Sequence, residues 1–96
     1  MVLLLVKYTM KPGTRDAFLQ KVEAAGITKI TRRETGNLRY ELYCPADDAD
    51  AVLLLEQWTD FSMIETHRTM DHVKLLVALK NDYVLDTQIE RFNINS

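Results

Sequence analysis

The sequence predicts an α+β domain with the element order β-α-β-β-α-β, and three observations carry that prediction. Apolar runs rich in β-branched and aromatic residues recur at Val2 to Met10, Leu38 to Cys44, Ala51 to Thr59 and Val84 to Asn93. Segments with helical spacing fill the first and third intervals between those runs. Gly, Pro, Asn and Asp punctuate the boundaries.

Val2 to Met10 is continuously apolar with β-branched and aromatic content, apart from Lys7, and Lys11-Pro12-Gly13 ends it as a turn. Thr14 can cap the following helix, which has Asp16 in its first turn and Phe18, Leu19, Val22 and Ala25 along one face. Gly26 interrupts that pattern, and Ile27 with Ile30 suits a separate short turn. Gly36-Asn37 opens the second strand, where alternation places Leu38, Tyr40 and Leu42 together and Arg39, Glu41 and Tyr43 opposite. Pro45 with Asp47, Asp48 and Asp50 marks a polar loop, so the second and third strands form a hairpin. Asp60 caps a helical piece carrying Phe61, Ile64 and His67. A fresh start at Thr69 and Asp71 leads a further helix with Val73, Leu76, Val77 and Lys80, widened by Leu75 and Leu79 and ended at Asn81-Asp82. The resulting order is that of the ferredoxin-like split β-α-β arrangement, an antiparallel sheet with helices on one face.

One consequence concerns the other face of the sheet. Leu3, Leu5, Leu53 and Leu55 lie opposite Leu4, Val6, Leu54 and Trp58, so the central strands are apolar on both sides. A second copy of the chain is the simplest cover, which predicts a homodimer packed sheet to sheet.

Composition narrows the function. With 96 residues, 47% apolar and 27% charged, the chain makes one ordinary globular domain. A net charge of -2, with Arg32-Arg33 as the only adjacent basic pair, argues against nucleic acid as a partner. Cys44 has no partner for an internal disulfide, and the first apolar run is too short for a signal peptide or membrane span. The expectation is a cytoplasmic protein without a membrane association. Cys-x-x-Cys pairs, glycine-rich phosphate loops and His-Glu-x-x-His helices are absent, so no cofactor or metal is expected. Cys44 reads as a small residue at a strand end, Lys7 and Glu90 as partners in cross-strand ion pairs, and the Asp47 to Asp50 loop as solvated, since it lacks calcium-loop spacing.

The candidate chemistry gathers at Glu56, Trp58, His67 and His72. Val52, Leu54, Glu56 and Trp58 share one strand face, so if helices cover it, Glu56 is a carboxylate on an apolar wall that needs a partner or a raised pKa. His67 or His72 can supply that partner, although on one unbroken helix they stand about 140° apart and converge only if the helix breaks between them. Such a pair can take a phenolic proton. Trp58, Tyr40, Phe61 and Phe18 suit a flat aromatic ligand, and each reads also as an ordinary core aromatic. Glu56 equally reads as a structural carboxylate, and His72 as an imidazole that only bonds locally beside Asp71.

The runs Gly36 to Tyr43 and Leu55 to Asp60, followed by His67 and His72-Val73-Lys74, resemble the antibiotic biosynthesis monooxygenase domain, a likeness extending from Lys11-Pro12-Gly13 to Arg91-Phe92. The resemblance implies a dimeric α/β barrel with a pocket in each protomer between helices and sheet. It also implies one of several reactions, among them oxygenation of phenolic or quinol-like substrates by molecular oxygen without metal or flavin. On that reading Glu56, His67 and His72 handle protons, while Phe18, Tyr40, Trp58 and Phe61 shape the substrate site. An isomerase of a small phosphorylated or polyhydroxylated carbonyl compound would use the same groups, with Arg68, Lys74 and Arg91 as phosphate holders. A non-catalytic ligand-binding dimer is the third class. Haem degradation ranks lower, because members with that activity use a first-strand asparagine and Lys7-Tyr8-Thr9 offers none.

Overall fold

A computed structural model describes residues 1–95. The elements are β1 (Val2–Met10), α1 (Arg15–Ala24), α2 (Ile27–Arg32), β2 (Asn37–Tyr43), β3 (Ala51–Trp58), α3 (Phe61–His67), α4 (Asp71–Tyr83) and β4 (Val84–Asn93). The strands form one antiparallel sheet in the order β2-β3-β1-β4. This is the ferredoxin-like topology, with the most apolar strands, β1 and β3, at the centre.

Alternation decides which face the helices cover. Val2, Leu4, Val6, Tyr8 and Met10 of β1 are buried, and register places Leu4 opposite Glu56, Val6 opposite Leu54 and Val2 opposite Trp58. Phe18 and Val22 of α1, Ile27 of α2, Ile64 of α3 and Leu76 of α4 close over them. The bare face carries Leu3, Leu5, Leu53 and Leu55, each half-buried at mid-sheet, as alternation requires. Lys7 and Glu90 share that face, but they lie opposite Leu53 and Leu5 rather than each other, and among the described residues neither forms an ion pair.

Two glycines shape the chain around the site. Gly26 adopts φ 70° and separates α1 from α2, so the helical break falls where the lost periodicity places it. Gly36 has φ 85°, and a Cβ there would stand 2.5 Å from Met63 Cγ and 2.8 Å from Thr59 Oγ1. Only glycine lets the α2–β2 turn press against α3, and Thr59 N–H donates to its carbonyl at 2.9 Å. The β1–α1 turn is tied to the hairpin loop by Gly13 N–H donating to Asp50 Oδ1 at 3.0 Å.

Several local expectations are corrected. Leu38 does not share the buried face of Tyr40 and Leu42: the β2–β3 register shifts between Asn37 and Arg39, and the extra residue leaves Leu38 48% exposed. Thr14 stands at the N-cap of α1, yet its hydroxyl donates back to Lys11 O, and Thr69 likewise donates to Thr66 O while Met70 occupies the N-cap of α4. Ile30 is exposed, because Ile27 and Thr31 form the inner side of α2. Helix α4 continues through Asn81-Asp82 to Tyr83 and passes directly into β4, and Leu75 and Val77 of α4 are exposed. Asp60 does cap α3, accepting from Ser62 N–H at 2.9 Å.

Candidate functional site

The site begins with a break in a helix. Helix α3 ends at His67 and α4 starts at Asp71, and the turn between them brings His67 and His72 to a ring separation of 5.7 Å. Both imidazoles are buried. What holds them is Glu34, on the turn between α2 and β2: its Oε2 accepts from His67 Nδ1 at 2.5 Å and from His72 Nε2 at 2.9 Å. An ionised carboxylate only accepts, so these contacts put a proton on His67 Nδ1 and on His72 Nε2. In the neutral ring, His67 Nε2 is thereby left with a free lone pair.

That nitrogen faces Glu56. His67 Nε2 lies 4.0 Å from Glu56 Oε1, beyond hydrogen-bond reach, while the indole N–H of Trp58 donates to the same oxygen at 3.2 Å. A hydroxyl oxygen about 2.8 Å from both groups would close the gap. Burial raises the Glu56 carboxyl above its ordinary pKa, partly offset by the Trp58 hydrogen bond and by the neighbouring His67 and Arg68. Trp58 and Tyr40 flank His67, with ring separations of 4.9 Å and 6.1 Å. Burial pushes the Tyr40 and Tyr8 hydroxyls well above the usual phenol range, so both are neutral walls.

A cavity of about 290 Å³ opens beside these groups, walled by Leu4, Val6, Leu54 and Leu76 and by Ile89 of β4. Glu56, His67 and Tyr40 line it. A second cleft, about 320 Å³, lies between α1, α2 and Leu42 with Glu23, Lys29 and Arg32 around it, and it contains none of the buried titratable groups. The candidate site is therefore the first.

Other expected site residues fall elsewhere. His72 is buried, does not line the cavity, and is linked to it only through Glu34 and His67. Trp58 is fully buried and acts on the cavity through Glu56. Phe18 is a core residue packed on Tyr8 and Tyr83, because α1 lies at the far end of β1 from His67. Phe61 lies outside the cavity wall, with the Arg91 guanidinium 4.3 Å above its ring. Sequence reasoning missed Glu34, Tyr8 and Lys80; Arg68 appeared only as a phosphate holder. Glu34, His67 and His72 also present three donor atoms within 4.8 Å of one another, a set able to hold a divalent ion if the carboxylate and imidazoles spread from hydrogen-bonding to coordinating distances.

The family model for antibiotic biosynthesis monooxygenases matches residues 1–79. The chain belongs to the antibiotic biosynthesis monooxygenase family. Among solved structures, a putative antibiotic biosynthesis monooxygenase from Nitrosomonas europaea superposes with a TM-score of 0.88 at 19% identity, covering 97% of each chain. One of the same description from Deinococcus radiodurans gives 0.87 at 20% identity, covering 100% of this chain and 94% of that one. A conserved protein from Methanosarcina mazei gives 0.87 at 21%, with coverage of 98% and 92%. At these identities the likeness establishes the fold. No curated protein matches the chain. No helix among the described residues of this family member is long and apolar enough to cross a membrane.

Proposed function

We propose that this protein is a cofactor-independent monooxygenase that oxidises a quinol or polycyclic phenol with molecular oxygen. The observation that carries the reading is the Glu34–His67 pair, which turns Nε2 toward a mainly apolar cavity, 4.0 Å from a buried carboxyl. An imidazole so oriented is a general base whose positive charge, once formed, is stabilised by Glu34.

The chemistry balances without an added reductant. For a hydroxyanthrone in its enol form, His67 Nε2 takes the hydroxyl proton, and the electron-rich anion passes one electron to dioxygen. The substrate radical and superoxide join through a new C–O bond, and the peroxide takes a proton from the imidazolium, beside Glu56, whose burial favours the protonated form. Loss of water across the O–O bond converts the original CH₂ carbon to a carbonyl, with one oxygen atom in the product and the other in water. Metal-stripped protein should therefore consume oxygen above the spontaneous rate with reduced naphthoquinols or hydroxyanthrones, at a rate unchanged by chelators. Silence across such a panel would remove the oxygenase reading in favour of an oxygen-independent isomerase or a binding dimer. The isomerase is weakened by its phosphate holders: of Arg68, Lys74 and Arg91, only Arg68 lines the cavity, while Lys74 reaches toward Asp71 and Arg91 stacks on Phe61.

The working unit in this proposal is a homodimer joined through the bare sheet face. Leu5 and Leu55 are direct cross-strand neighbours at its centre. Changing both to aspartate would place charges in a dry interface, each appearing twice by two-fold symmetry, at a cost of several kcal/mol. The dimer dissociation constant should rise on the order of 10³-fold or more. Sedimentation equilibrium showing an unchanged dimer, or a wild-type monomer at micromolar concentration, would refute this arrangement.

A further inference from the structure

The cavity has a second polar end that the proton chemistry does not use. Lys80 reaches from α4 over Tyr8, its Nζ 5.0 Å from the ring centroid, and it lines the same cavity as His67 and Glu56. It is half-buried, and among the described residues no carboxylate lies within 4.0 Å of the ammonium. Loss of water lowers its pKa, with only Glu56 opposing from a distance. The other cation at the cavity, Arg68, is exposed and its charge offsets Glu56.

Strand register gives the separation of the two ends. Leu4 pairs with Glu56 and Tyr8 with Val52, so the rows beneath His67 and Lys80 differ by four residues of β1, about 13 Å along the strand. The wall between them is Val6, Leu54, Leu76 and Ile89.

We propose that the cavity binds an elongated aromatic acid, its hydroxylated ring at His67 and Glu56 and its carboxylate on Lys80. This deepens the oxygenase reading and rests on it for the placement of the hydroxyl end. An ammonium drawn partly out of water gains most from an anion delivered by the ligand itself. The reverse orientation would take the carboxylate away from Lys80 and leave the ammonium only a neutral hydroxyl, so Lys80 fixes the direction of binding.

The test uses probes that are not oxidised. Calorimetric titration should show 6-hydroxy-2-naphthoate binding at least about tenfold more tightly than the neutral 6-hydroxy-2-naphthamide, since one charge-assisted hydrogen bond exceeds a neutral one by about 1.4 kcal/mol. Lys80→Met should erase the difference, and Lys80→Arg should keep it. Equal affinities in the wild type, a preference that survives in Lys80→Met, or binding of neither probe would overturn the assignment. Oxygen uptake is scored separately: acid preference without any uptake would sink the oxygenase and spare the anion site, and uptake without acid preference would do the reverse.

Discussion

His67→Ala is expected to lower kcat for oxygen-dependent turnover by about 10²–10⁴-fold, the range associated with loss of a positioned general base. The expectation follows from where the ring nitrogens point. Nδ1 is spent on Glu34 at 2.5 Å, so Nε2 is the only one that can meet a substrate proton, and it does so in the cavity. His72→Ala makes the internal comparison. That imidazole is bonded to the same Glu34 oxygen at 2.9 Å but does not line the cavity, so its loss should change kcat by less than about tenfold, the factor attached to a single hydrogen bond of 0.5–1.5 kcal/mol. Stopped-flow or electrode measurements on folded variants, matched by circular dichroism, decide between them. Equal losses in the two variants would reduce His67 to a structural partner of Glu34.

The contrast between the two histidines also shows what the sequence can carry. Strand positions were legible because β1 and β3 are apolar runs bounded by turn residues, and the helical break was legible because Thr69 and Asp71 read as a fresh helix start between His67 and His72. The β-bulge at Leu38 was not, since Leu38-Arg39-Tyr40-Glu41-Leu42 alternates perfectly as text and the shift arises from pairing with β3. Phe18 and Phe61 were drawn toward the site by residue type alone; strand register sends Phe18 to the Tyr8 end, and Phe61 is held outside against Arg91. Glu34 is the instructive omission. It follows Arg32-Arg33 in a segment that reads as a solvated turn, and its partners lie 33 and 38 residues away, so no local spacing announces them. Only the fold, with Gly36 letting the turn close on α3, makes that carboxylate a buried acceptor.

Replacing Glu34 should therefore separate holding the site from activating it. Glu34→Leu removes the acceptor of two buried imidazole N–H groups, and breaking a buried pair by deleting one partner costs about 3–5 kcal/mol. For a chain of this length each kcal/mol corresponds to roughly 4–8 °C in Tm, so the variant should melt at least about 12 °C below wild type at equal protomer concentration. Glu34→Gln is the sharper variant. Its amide oxygen can accept both N–H groups, which preserves the tautomer of His67 and most of the stability, but it carries no charge to balance the imidazolium formed when Nε2 takes a proton. The difference between a charge-assisted and a neutral hydrogen bond, about 1–1.5 kcal/mol, then appears in kcat as a loss of about tenfold with KM nearly unchanged. A Glu34→Gln protein that melts like wild type and turns over like wild type would show that Glu34 only positions the ring. One that loses stability as Glu34→Leu does would show that the shared oxygen cannot be replaced by an amide, placing the carboxylate's charge in the fold rather than in the reaction.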